Sequence, residues 1–146
     1  MSGSSWIGVI EKLIETCKDG EDGYREAATH VRDSVLKLFL EKQSATRARF
    51  ALELREEISR LSGVVSEGSM AGAVHRGWIG LQAMLGRGDE AILNSVQQGE
   101  RSALEAYDAA LAAALPPQFE HIVRRQAAGI REAYEKTVSW KADRAA

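Results

Sequence analysis

Two glutamates fall on otherwise apolar helical stripes, and their chemistry needs the most explanation. One stripe runs Ile7, Ile10, Ile14, Cys17, then Tyr24, Ala28 and Val31, and the heptad position it skips is Glu21. Another runs Leu93, Val96, Glu100, Ala103, Tyr107, Leu111 and Ala114, with a tyrosine again following the glutamate on the same face. Core-facing glutamates from two helices are half of a carboxylate-bridged di-metal centre; a Glu-x-x-His pair from each of two further helices is the other half. Those pairs are absent, because the residues three before His30, His75 and His121 are Ala27, Gly72 and Gln118. The opposing stripes offer Gln43, Thr46 and Gln126.

The residues therefore favour a buried polar layer that holds no metal or other cofactor and contains no catalytic residue. A core carboxylate is costly unless paired and hydrogen-bonded. A turn near residue 32 or 33 sets position 21 level with 43 to 47, which makes Gln43 and Arg47 partners for Glu21. Tyr24 and Tyr107 add hydroxyl donors beside Glu100 and Gln126. The alternative is a di-iron or di-manganese cofactor on Glu21, Glu53, His75 and Glu100.

His75-Arg76-Gly77-Trp78 is the densest run of functional residue types. On a helix His75 and Trp78 share a face at i, i+3. Packing of tryptophan into a groove is the simpler reading, and an acid-base or ligand role for His75 is the other. Cys17, the single cysteine, lies on a core stripe without a neighbouring histidine. That suits a buried inert thiol in a reducing cytoplasm.

These residues sit on elements legible from periodicity. The first helix opens after Ser4 or Ser5 and runs to about His30. It passes through Lys18-Asp19-Gly20-Glu21-Asp22-Gly23, because its stripe keeps one register on both sides. Asp33 caps a second helix with the stripe Leu36, Phe39, Gln43, Thr46, Phe50, Leu54, Ile58 and Leu61, ending at Ser62-Gly63. Ser66 to Ser69 is a loop, and Ser69 caps a short glycine-rich helix from Met70 to about Leu85. After Gly86-Arg87-Gly88, Asp89 caps the Glu100 helix. Pro116-Pro117 turns into a last helix carrying Phe119, Ile122, Val123, Gln126, Ile130, Ala133, Thr137 and Trp140. The expectation is one all-α domain over residues 1–146, a four-helix bundle with an additional short helix between the second and third long helices. Either a long crossover or a five-helix up-and-down path accommodates that short helix.

The ordered set Cys17-Lys-Asp-Gly-Glu-Asp-Gly-Tyr24, Arg47-Ala-Arg-Phe-Ala-Leu-Glu-Leu54, Gly72-Ala-Val-His-Arg-Gly-Trp78 and Gly99-Glu100 with Tyr107 resembles an uncharacterised bacterial family of ferritin-like four-helix-bundle proteins, catalogued as a domain of unknown function. The resemblance covers nearly the whole chain. It implies the ferritin-like fold and no established activity.

Charge and composition narrow the function classes. A net charge of -2 gives no electrostatic case for nucleic acid or an anionic membrane, and Arg47, Arg49, Arg124 and Arg125 sit among acidic residues. No apolar run reaches the roughly 18 residues of a membrane span, and the amino terminus has no signal-peptide pattern. The expectation is a cytoplasmic, non-catalytic bundle that acts through a protein partner or as a homo-oligomer, in a setting such as stress physiology. A ferritin-like metal-binding or redox protein is the alternative.

Overall fold

The computed structural model describes residues 4–62 and 77–145, which form helices and no strand. The helices are α1 (Ser4–His30), α2 (Ser34–Ser62), α3 (Leu81–Met84), α4 (Asp89–Ala112) and α5 (Pro117–Ala145). The Lys18–Gly23 run is helical throughout, as the unbroken stripe requires. Asp33 Oδ1 accepts the backbone N–H groups of Val35 and Leu36, both at 2.9 Å, and so caps α2.

Asp89 differs from expectation. It is the first residue of α4, whose N-cap is Gly88 with no side-chain cap bond. Its carboxylate reaches the α1–α2 turn, taking the N–H of Arg32 at 2.7 Å and of Asp33 at 2.9 Å. Two donors left free by the turn outcompete the local capping role.

The four long helices contact one another in a ring: α1 packs on α2 and α4, and α5 packs on α4 and α2. Cross-links fix their directions. Cys17 meets Tyr107 and Tyr24 meets Glu100, so α1 and α4 are antiparallel. Gln126 meets Phe50, while Trp140 lines a cavity with Leu36 and Phe39, so α2 and α5 are antiparallel as well. Asp89 ties the start of α4 to the start of α2, so these two run parallel. The end of α2 lies at the opposite end of the helices, about 40 Å away at 1.5 Å per residue. The four long helices thus run up, down, down and up in chain order.

The residues that lead into α4 correct a second expectation. Residues 77–80 form a bend and turn with Gly77 at φ 69° and Gly80 at φ 94°, and only Leu81–Met84 is helical. Left-handed backbone at two glycines three residues apart cannot lie inside an α-helix. The expected loop at Ser66 to Ser69 and the helix start at Met70, with His75 and Arg76, lie outside the described residues.

The core divides in two. A lower cluster holds Ile10, Ile14, Leu54, Ile58, Tyr107, Phe119, Val123 and Ile130. An upper one holds Tyr24, Ala27, Leu36, Leu40, Leu81, Ile92 and Val96. The stripes of α4 and α5 are buried largely as the sequence implies, although Ala114 falls beyond the end of α4 and is exposed. On α2 the buried line is instead Leu36, Leu40, Ser44, Arg47, Ala51, Leu54 and Ile58, with Phe39, Gln43, Thr46 and Phe50 half-buried beside it. Apolar neighbours at 39/40 and 50/51 make either register plausible in sequence. Arg47 decides between them.

Candidate functional site: a buried ion pair between two apolar clusters

The polar layer lies where the two clusters meet. Arg47 is 1% exposed and Glu100 0%. The Arg47 guanidinium donates through Nη2 to Glu100 Oε2. Tyr24 O–H donates to the same oxygen at 2.5 Å. The Arg47 guanidinium also lies over the Tyr24 ring, 5.3 Å from its centroid. Two polar atoms of this pair, Arg47 Nη1 and Glu100 Oε1, are buried without a hydrogen-bond partner.

Gly20 explains how an arginine reaches so deep. A Cβ at position 20 would stand 2.8 Å from Arg47 Nη1 and 3.3 Å from its Cγ. The missing side chain is the space the guanidinium fills. The heptad gap on α1 is thus closed by buried Gly20, and Glu21 is displaced to the edge.

That is a correction to the expected layer. The Glu21 side chain is 17% exposed and pairs along its own helix with Lys18 at 2.7 Å and Arg25 at 3.6 Å. Arg47 is the partner of Glu100, not of Glu21. The link from Glu21 to α2 is through its backbone carbonyl, which accepts Ser44 Oγ at 2.8 Å. Gln43 is half-buried one position away.

Below the ion pair runs a second chain of hydrogen bonds. Cys17 Sγ lies 2.9 Å from Tyr107 Oη. Tyr107 donates to Gln126 Oε1 at 2.8 Å. Gln126 Nε2 donates to Glu53 Oε1 at 2.9 Å and to the Phe50 carbonyl at 3.2 Å. Glu53 pairs with Arg125 at the surface. The amide orientation fixes the proton order: Tyr107 spends its one hydrogen on Gln126, so Cys17 donates S–H to the phenol oxygen.

Burial governs the charge states. It pushes the Cys17 thiol up from 9.0 to about 11, against the lowering effects of the Tyr107 bond and Arg47. Burial raises Tyr24 and Tyr107 well above the ordinary phenol range, with the Glu100 charge adding to Tyr24 and Cys17 to Tyr107. Burial alone would lower Arg47, but the Glu100 carboxylate outweighs it and holds the guanidinium above its ordinary value. The site is thus one internal ion pair among neutral donors. It offers no poised nucleophile, because the thiol stays protonated.

The donor set does not fit a di-iron or di-manganese centre. Glu100 faces a guanidinium where a metal would stand, Glu53 is bound to Gln126 and Arg125, and Glu21 to Lys18 and Arg25. Among the described residues no three His, Cys, Asp or Glu side chains converge to hold an ion.

Trp78 is the remaining sequence-flagged residue in view. Its indole wedges between α1 and α4, where a Cβ at Gly23 or Gly99 would come within 2.5 and 2.4 Å of the ring. It packs edge-on to Tyr24 with centroids 4.7 Å apart. Sequence reasoning missed Gly20, Gly23 and Gly99 as the positions that admit Arg47 and Trp78. Their signal was present as small residues one position from each expected polar member, on helices that otherwise favour alanine.

Fold and site together define an all-helical protein whose four long helices enclose a buried arginine–carboxylate pair. Residues 5–113 match the family described as Domain of unknown function (DUF2383), and the chain belongs to that family. No curated protein matches it.

Proposed function

We propose that the protein is a ferritin-like four-helix bundle of the bacterial cytoplasm that carries no metal centre and acts non-catalytically, through a protein partner or by self-assembly. The observation that carries this reading is Arg47. A permanently charged guanidinium, buried against Glu100, already supplies the positive charge that a core carboxylate needs. The up-down-down-up course of the four long helices supports the ferritin-like assignment. No helix among the described residues is long and apolar enough to cross a membrane.

The test is metal analysis of protein purified without chelators, together with ferrous oxidation and sedimentation across a concentration range. The reading expects no stoichiometric iron or manganese, no oxidation above buffer, and a self-associated or partner-bound species. About two transition-metal ions per chain, the complement of a carboxylate di-metal site, lost in a folded Glu100→Ala variant, would overturn it.

A further inference from the structure

The indole of Trp78 stands between two cavities. On one side is a cavity of about 450 Å³ lined by Asp22, Glu26, Thr29 and Gln82, and on the other a cavity of about 540 Å³ lined by Thr16, Asp19, Gln98 and Ser102. Gly77 and Trp78 are in the wall of both. Directly beneath the ring is Tyr24, fully buried, whose hydroxyl is bonded to Glu100.

The segment that carries Trp78 is held lightly. Gly77, Gly80, Gly86 and Gly88 all take positive φ, at 69°, 94°, 86° and 103°. The α3 helix between them is four residues long and has no side-chain cap. Leu81 is buried, but Ile79 is 91% exposed. Among the described residues, Gln82 Nε2 donates from this segment to Glu26 Oε1 of α1 at 3.5 Å, at the limit of what counts as a bond. The segment joins the upper cluster through Leu81, with Trp78 and Leu85 packed against it, whereas the long helices supply most of both clusters and the buried ion pair. Few buried contacts and glycine-rich backbone are the marks of a unit that opens below the global unfolding free energy.

We propose that residues 77–88 are a hinged strap and that Trp78 is its removable plug. Withdrawing the indole joins the two cavities into one cleft between α1 and α4, open down to Tyr24 and the Arg47–Glu100 pair, while the four long helices stay assembled. The slot suits this use because its two walls meet the ring at glycines, Gly23 and Gly99. It grips a flat ring by shape and has no side chain that must rearrange when the ring leaves.

The test uses the full chain with Trp6→Phe and Trp140→Phe, which leaves Trp78 as the only tryptophan. In urea, the Trp78 emission should shift to the red at a lower midpoint than the loss of helical circular dichroism. Superimposed transitions would overturn the proposal. Gly23→Ala provides the second arm, because its Cβ occupies the ring's place. This variant should keep its helicity while Trp78 becomes red-shifted and quenchable by acrylamide without urea. Loss of helicity, or an indole still shielded, would show that Trp78 belongs to the cooperative core. In the unsubstituted protein, the amides of Leu81 and Leu85, bonded to the Trp78 and Leu81 carbonyls at 3.2 Å, should exchange much faster than core amides of α1 and α4. Equal rates would count against the strap.

Discussion

Removing one charge of the Arg47–Glu100 pair should cost far more than removing both. Arg47→Met leaves the Glu100 carboxylate buried with Tyr24 as its donor, and Glu100→Gln leaves the guanidinium buried without a counter-charge. Stranding a buried charge in this way costs roughly 3–5 kcal/mol. If the two effects were independent, the double variant would lose about 6–10 kcal/mol, most of the 5–15 kcal/mol available to a domain. In the double variant no charge remains, and the glutamine carbonyl still accepts the Tyr24 hydroxyl. Its residual cost is that of an underused buried amide, about 1–3 kcal/mol. The arithmetic gives a coupling energy of at least about 3 kcal/mol, within the range seen for close buried charge pairs. Urea unfolding of the four proteins at pH 7, followed by circular dichroism, measures it. A double variant that loses the sum of the single losses would refute the pair as a coupled unit. Single losses near zero would show that water reaches it.

Other outcomes follow from neighbouring residues. Gly20→Ala should destabilise by about 1–3 kcal/mol through overpacking against Arg47, despite a gain in helix propensity of up to about 1 kcal/mol; a more stable protein in thermal melts would contradict the cradle. Tyr107→Phe should cost about 1–3 kcal/mol, because it strands the Gln126 carbonyl and the Cys17 thiol, and an unchanged urea midpoint would rule out that chain. Burial moves the Cys17 thiol from 9.0 to about 11, so its contribution to stability is complete below pH 9 and is lost as pH rises through about 11; Cys17→Ala should flatten the alkaline fall in stability, and a thiol titrating normally by ultraviolet absorbance in the folded protein would contradict this. Asp89→Ala should cost about 1–2 kcal/mol by uncapping the Arg32 and Asp33 amides, measured as a lower thermal midpoint.

The sequence alone determined what depends on local periodicity. The helix through Gly20 and Gly23, the cap at Asp33, the proline start of α5 and the stripes carrying Glu100, Tyr107 and Gln126 can all be read from spacing, because each reflects a 3.6-residue repeat or a single-residue preference. The same repeat nominated Glu21, and there it misled. An α-helix brings two adjacent positions almost equally close to its core line, and local pattern cannot choose between a glutamate and the glycine before it. Tertiary contact made the choice: Gly20 faces inward because Arg47 of another helix needs the volume that its absent side chain leaves. Likewise, the parallel course of α2 and α4, the reach of Asp89 to the α1–α2 turn and the seat of Trp78 between Gly23 and Gly99 depend on residues far apart in the chain. Their partners are set by how the long helices stack, and a glycine's role as a slot exists only once the ring that fills it has arrived.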